Sequence, residues 1–316
     1  MWDTVQGHEQ NKKFLAQFLQ GDSLSGSLLL YGPCGIGKKS LALAFAQDVL
    51  GHKTKELANN PDFILVEQDK PGKNIILEQI KQLSARAIYA PTVSRYKVCL
   101  IDGADNMTGE AANSLLKLLE EPPAYWLFIL VAEDVNKLLP TILSRVIRLR
   151  FAPLAEEVTT TILQQQGIAQ APLLAALANG SPGQAIELDK GELVAKQEAW
   201  VDFLQHLPSP LIQNLLTEQA PWAGRKLAKE EALLWLESLI IVLRDGLVQQ
   251  VGKPELLLNA ELTARLPATC ASLPATKIEQ AIQTVGNSYR AIAGSAGASG
   301  VLEMLVLQLN ELWKEN

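Results

Sequence analysis

The sequence predicts a parallel α/β domain with helices on both faces of its sheet, then a small helical domain, then an all-helical C-terminal domain. Three observations predict it. Up to residue 151, short and nearly continuous apolar runs alternate with stretches of helical spacing, the pattern of strands covered on both faces. A glycine-rich turn, GPCGIGKKS at 32–40, separates the first apolar run from the first such stretch. Beyond residue 189 the chain reads as helix throughout. The expected domains are 1–151, 152–188 and 189–316.

Taken in order, LLLYG (28–32) is a strand entering the glycine turn, and KSLALAFAQDVL (39–50) continues as a helix. DFILVE (62–67) is the second strand. ILEQIKQLSARAIY (76–89) has helical spacing at Ile76, Ile80, Leu83 and Ala87. KVCLIDGAD (97–105) is a buried strand ending in acids. EAANSLLKLLEE (110–121) is a helix with Ala112, Leu115, Leu116 and Leu119 on one face, stopped by Pro122-Pro123. LFILVAE (127–133) is a further buried strand. VIRLRF (146–151) alternates Ile147, Leu149 and Phe151 with Arg148 and Arg150, so it reads as half exposed. LLAALANGSPGQAIEL (173–188) holds two helical pieces broken at 180–183. EALLWLESLIIVLRDGL (231–247) and VLEMLVLQLNELW (301–313) are long helices, the latter with Leu302, Leu305, Leu309 and Leu312 on one face. AGSAGASG (293–300) is a small-residue joint or a close-packing stretch.

Composition narrows the class. Apolar residues make up 48% and charged residues 20% of the 316, as in ordinary globular proteins. No apolar run approaches the roughly 20 residues of a membrane span, and MWDTVQGHEQ lacks the pattern of a secretory signal. A cytoplasmic protein is expected. Cys34, Cys99 and Cys270 are far apart, without a CxxC pair, and read as reduced, buried thiols. The net charge of −6 is uneven: residues 1–150 carry 17 Lys+Arg against 16 Asp+Glu, and residues 151–316 carry 11 against 18. The acidic C-terminal half is poorly suited to gripping a phosphate backbone by itself.

The glycine turn nearly matches a phosphate-binding P-loop. Gly32, Gly37 and Lys38 fit, and Gly35 adds backbone freedom. A strand-to-helix turn of this kind aims backbone N–H groups at phosphate oxygens, and Lys38 would reach the outer phosphates. Phosphate contact and a bare helix start both stay open. The misfit is Lys39, where a Ser or Thr hydroxyl would ligate magnesium. An ammonium has donors and no acceptor, and its charge opposes a metal. Ser40 lies about 100° further round the helix. No metal site is expected, and loss of magnesium removes the main charge stabilisation of phosphoryl transfer.

Asp102 ends its strand where a metal-holding carboxylate would stand, and Gly103 follows it. For Asp102 two roles stay open, metal ligand or cap of the next turn. Ser144-Arg145, ending a short helix before a strand, offers a permanently charged guanidinium. It serves either a local salt bridge or, as an arginine finger, a neighbour's nucleotide site.

GPCGIGKKS, LIDGADNMTGEAANSLLKLLEEPP, LPTILSRVIRLRF and NGSPGQAIEL, in this order across residues 28–188, resemble the clamp-loader subunits of the AAA+ class, and among them the delta-prime family of bacterial DNA polymerase III. The resemblance implies a P-loop AAA+ domain, a helical lid and an oligomerisation collar. It implies a place in a five-part ring that opens a sliding clamp and sets it on primed DNA. The implied partners are tau/gamma-type ATPase subunits, delta, the clamp and DNA, within a DNA-directed DNA polymerase holoenzyme. It implies a non-hydrolysing stator in which Arg145, supported by Ser144, serves a neighbouring motor subunit. The sensor-2 arginine of motor subunits would fall at Gly183, and the sensor-1 residue near Ala132 or Glu133. Members with a four-cysteine zinc module carry it after the P-loop helix; residues 51–60 contain no cysteine, so no zinc is expected. No cofactor is required, and weak or structural ATP or ADP binding at Gly32, Gly35, Gly37, Lys38, Lys39 and Ser40 stays open, with Asp102 a vestigial Walker B acid.

The runner-up is an active ATPase of the same superfamily, such as a motor clamp-loader subunit or a helicase-type protein. It needs Ser40 or water to replace the missing ligand. A small-molecule P-loop kinase is disfavoured by LLKLLEEPP, Ser144-Arg145 and the long acidic helical tail.

Overall fold

The computed structural model describes residues 2, 5–21, 24–51, 57–70, 72–168, 170–190, 192–225, 227–266, 273–294 and 296–314. Cys270 and part of the stretch 51–60 lie outside them. The chain forms two compact units, Met1–Gly167 with Ala178–Gln184, and Ile168–Leu177 with Ala185–Asn316.

The first unit is built on five parallel strands: β1 Gly26–Tyr31, β2 Phe63–Val66, β3 Lys97–Asp102, β4 Trp126–Ala132 and β5 Ile147–Arg150. Their order is β2-β3-β4-β1-β5, and every neighbouring pair is parallel. The two-residue period of a strand sends alternate side chains to opposite faces. Leu28, Leu30, Val98, Leu100, Leu127 and Ile129 meet α1 (Glu9–Leu19) and α2 (Lys38–Val49). Leu29, Cys99, Ile101, Phe128 and Leu130 meet α3 (Leu77–Ala87), α4 (Gly109–Glu120) and α5 (Pro140–Leu143). Both faces are therefore covered, as near-continuous apolar strands require. Each fully buried large side chain contributes about 1.5–3 kcal/mol. Helix α6 spans Glu156–Gln165.

Helix α4 begins because Thr108 accepts a hydrogen bond from the Ala111 N–H at 3.3 Å, and Pro122 ends it. Three expectations need correction. Ile76 precedes α3 and is 46% exposed, since its extended backbone turns it off the helix's buried face. Ile147 is 45% exposed because β5 is an edge strand; there Arg148 and Arg150 are also exposed and blunt the edge. Cys34 is an exposed thiol, whereas Cys99 is buried.

One buried acid organises a loop of this unit. The Asp62 carboxylate, fully buried, accepts the N–H groups of Thr92, Val93 and Ser94 at 2.7 Å each. Burial by itself pushes the carboxyl up, but the amides of Ser94, Thr92 and Val93, with Lys97 nearby, hold it below the ordinary aspartate value. A depressed folded value means stability present above the unfolded pKa of about 3.9 and lost as pH falls through the folded one. Asp62→Ala is expected to cost about 3 kcal/mol at neutral pH and to flatten stability below about pH 4. Urea unfolding at several pH values checks both; an unchanged acid limb refutes the assignment.

The second unit comprises α7 (Ala171–Leu177), the greater part of α8 (Pro182–Lys190), α9 (Leu193–Leu204) and the long helices Lys229–Val251, Ala275–Ala293 and Ala298–Lys314. Trp200, Trp235, Leu239, Val285, Leu302, Leu305 and Leu309 form its core. Leu312 is only partly buried at that core. Ala293 ends one helix and Ala298 begins the next, so the small-residue stretch includes both helix ends. Among the described residues no helix is long and apolar enough to cross a membrane.

Candidate functional site

The site lies at the C-terminal ends of the parallel strands, where loops and helix starts gather. Strand β1 delivers residues 32–37, and α2 leaves them at Lys38. Gly37 stands at φ 97°, a left-handed turn that suits glycine and lets the chain enter the helix. Each carbonyl from residue 32 to 36 is fastened. Lys38 Nζ donates to Gly32 O at 2.6 Å and also to Pro33 O. Ser181 Oγ donates to Cys34 O at 2.8 Å, and the Gly183 N–H donates to Gly35 O at 2.9 Å. His8 Nε2 is 2.7 Å from Ile36 O, with its ring 4.6 Å from that of Phe151. Burial pushes the His8 imidazole down despite that bond. The first amides of α2 have no intrahelical acceptor, the feature by which a helix start can meet an anion.

Gly183 begins a contact that tolerates no side chain. A Cβ there would lie 2.7 Å from Gly35 Cα. The position at which a sensor-2 arginine would fall is thus filled by backbone packing.

The metal seat holds a lysine. Lys39 Nζ lies 2.8 Å from Asp102 Oδ2 and 2.7 Å from Glu67 Oε2. Burial would lower the Lys39 pKa, but hydrogen bonds to Asp102 and Glu67 outweigh it and raise the value, so the ammonium stays charged. The register that sets Val66 against Ile101 brings Glu67 beside Asp102. These residues do not fit magnesium: an ammonium with no lone pair already sits on the oxygens a cation would need. Asp102 is therefore an ion-pair partner of Lys39. Ser40 is exposed on α2. Gly103 has φ 79°, where a glutamate would be strained. Asp105 receives the N–H groups of Glu133 and Asp134 at 3.2 and 3.1 Å, which ties it to the turn after β4.

Glu133 faces the loop. Its carboxylate hydrogen-bonds the Cys34 thiol, which that bond, burial and charge together push up. Burial pushes Lys38 down, opposed by Glu133, Cys34, Asp105 and Asp102. Among the described residues no group of His, Cys, Asp and Glu is placed to hold a metal ion.

Ser144 and Arg145 stand apart. They follow α5, whose Ile142 packs in the α3–α4 layer, whereas α2 packs on the opposite face of the sheet. Arg145 Nη1 donates to Thr141 O at 2.8 Å and to Ser144 Oγ at 3.0 Å. Its Nη2 pairs with Glu120 Oε1 at 2.7 Å. The Arg145 side chain, 34% exposed, is thus held by the last residue of α4. The structure brings Gly32, Gly35, Gly37, Lys38, Lys39 and Asp102 together and leaves Ser144 and Arg145 outside that group.

Sequence reasoning missed Glu67, His8 and Ser181, and gave Glu133 only as a possible sensor position. Glu67 had one signal, an acid ending a strand that neighbours the strand of Asp102.

A family model described as DNA polymerase III, delta subunit, matches residues 7–155. The DNA polymerase III subunit delta' of Bacillus subtilis is 29% identical over 318 residues, 95% of this chain and 95% of that protein. The subunit delta' of Pseudomonas aeruginosa is 31% identical over 192 residues, 55% of this chain and 58% of that one. A DNA polymerase III gamma subunit-related protein of Thermotoga maritima superposes with a TM-score of 0.52 at 18% identity, over 96% of this chain and 99% of that structure, a likeness of fold.

Proposed function

We infer, from a likeness that runs through 95% of both chains and a matching family model, that the protein belongs to the delta' family of DNA polymerase III clamp-loader subunits. It acts in loading the replicative clamp, as part of the polymerase III complex and together with other clamp-loader subunits. Within that role we propose that it hydrolyses no ATP itself. It is a cytoplasmic stator that supplies Arg145, steadied by Ser144, to the nucleotide site of a tau/gamma-type neighbour. Delta, the sliding clamp and primed DNA are reached through the assembled ring. The α/β domain to residue 151, the lid at 152–188 and the collar at 189–316 are its proposed parts.

One observation carries the non-hydrolysing reading. Lys39 occupies Asp102 and Glu67 at 2.8 and 2.7 Å, where phosphoryl transfer needs a divalent cation. Gly103 offers no carboxylate to polarise water, and Ser40 is turned to solvent. The active-ATPase reading has no ligand set left to use. Arg145 supports the other half of the role: it lies outside its own P-loop cluster, partly exposed and pre-oriented by Ser144 and Thr141. Such a guanidinium can enter a neighbour's site, provided Glu120 yields it; a surface ion pair of this kind is worth about 0–1 kcal/mol.

The purified chain with ATP and magnesium is expected to release no phosphate above background. Turnover that disappears in Lys38→Ala would overturn the stator reading.

A further inference from the structure

We propose that Glu120 is a latch on Arg145: its carboxylate caps the guanidinium in the free chain and gives it up when the phosphates of a neighbouring subunit's nucleotide compete for it. The inference rests on the reading of Arg145 as a finger and concerns the regulation of that residue.

The partners of Arg145 divide by nitrogen. Nη1 donates to Thr141 O at 2.8 Å and to Ser144 Oγ at 3.0 Å, which uses both of its hydrogens. Ser144 Oγ in turn donates to Thr141 O at 3.0 Å. This small network closes within the turn that carries Arg145 and sets the direction of the fork. Nη2 makes the contact from outside the turn, with Glu120 Oε1 at 2.7 Å. Among the described residues Glu120 is the one carboxylate paired with this arginine. What it adds is therefore a negative charge on a donor that a phosphate would need, and not the aim of the side chain.

Both halves of the contact are firmly mounted. Leu119, next to Glu120, and Ile142, close before Arg145, are 4% and 0% exposed in the same layer of the core. The charged side chains themselves reach solvent, Glu120 at 48% and Arg145 at 34%. The pair thus stands at the surface, open to approach by another subunit.

The chemistry suits an exchange. A carboxylate and a phosphate offer a guanidinium the same thing, anionic oxygens that match its fork. A nucleotide triphosphate carries more negative charge, and at an interface that excludes water its attraction for the fork grows. An exposed carboxylate pair shifts an equilibrium by at most about fivefold. That is enough to compete with the phosphate and too little to withhold the arginine altogether. In an assembled ring Arg145 then partitions between Glu120 and the neighbour's nucleotide, and removing the charge of Glu120 raises the engaged fraction.

Steady-state ATP hydrolysis by the reconstituted clamp-loader complex, without clamp or DNA, tests the latch in four forms: wild type, Glu120→Gln, Arg145→Ala and the double variant. The part of kcat that depends on Arg145, measured as the difference from the Arg145→Ala complex, is expected to rise about two- to fivefold in Glu120→Gln. KM for ATP is expected to stay within about twofold, because a finger acts chiefly on the transition state. The double variant is expected to match Arg145→Ala, since a latch does nothing without the arginine it holds. Thermal unfolding of each free subunit checks its fold, and Glu120→Ala serves in place of a glutamine variant that does not fold. A Glu120→Gln rate equal to or below the wild-type rate overturns the latch, and so does a gain that persists in the double variant. The two readings fail separately: hydrolysis unchanged by Arg145→Ala removes the finger and the latch together, whereas hydrolysis slowed by Arg145→Ala and unchanged by Glu120→Gln removes the latch alone.

Discussion

On the role proposed for Arg145, its replacement with alanine is expected to lower ATP hydrolysis by about 10³ at the neighbouring subunit's site, while the chain itself folds and assembles as before. The charge on a transferring phosphoryl group is spread over its oxygens, and a guanidinium placed against them stabilises the transition state far more than the ground state. Arg145 is suited to this by its chemistry and its setting. Its fork is always charged, and Thr141 O and Ser144 Oγ fix its direction. Its pair with Glu120 is solvent-exposed and contributes little to stability. The measurement is steady-state hydrolysis by the reconstituted complex with clamp and primed DNA, beside thermal unfolding of the free subunit. In an assembly with several nucleotide sites, the total rate is expected to fall by the share this one carries. Arg145→Lys is expected to restore little, since a point charge lacks the planar fork. A normal rate in the alanine variant would remove the finger from this chain.

Trp200→Ala should destabilise the helical unit by about 3–5 kcal/mol. Trp200 is fully buried, with ring centroids 5.1 Å from Trp222, 5.9 Å from Phe203 and 6.1 Å from Trp235. Its Nε1 donates to Trp235 O at 2.8 Å. Truncation opens a large cavity, removes several edge-to-face contacts and leaves a buried carbonyl without that donor. Trp200→Phe keeps part of the volume and is expected to lose less. Urea unfolding followed by tryptophan fluorescence reads the difference. A change below about 1 kcal/mol would mean that the ring cluster is not the centre of this core.

The α/β half was legible because burial on both sheet faces leaves a plain trace, short apolar runs with little alternation. LLLYG and KVCLIDGAD were read as strands, and LFILVAE matches β4 to within a residue at each end. The glycine turn and the GKK misfit were legible because a motif is local. Ile76 and Ile147 misled for one shared reason: periodicity reports a face but not where an element starts or whether another layer covers it. Helix α1 was not read at all. Its one buried residue is Leu15. Glu67 was invisible as a partner of Lys39 because 28 residues separate them and nothing local links a helix start to the end of β2.

By itself the sequence determined that a lysine takes the place of a hydroxyl, that Asp102 closes a buried strand, and that Ser144-Arg145 precedes a strand. These are statements of residue type and neighbourhood along the chain, which covalent order alone settles. Only the tertiary structure decided where the charges end: Lys39 between Asp102 and Glu67, Arg145 on Glu120, Gly183 against Gly35. Strand register and helix packing bring such pairs within 3 Å, and an ion pair or backbone contact depends on that distance rather than on separation in sequence.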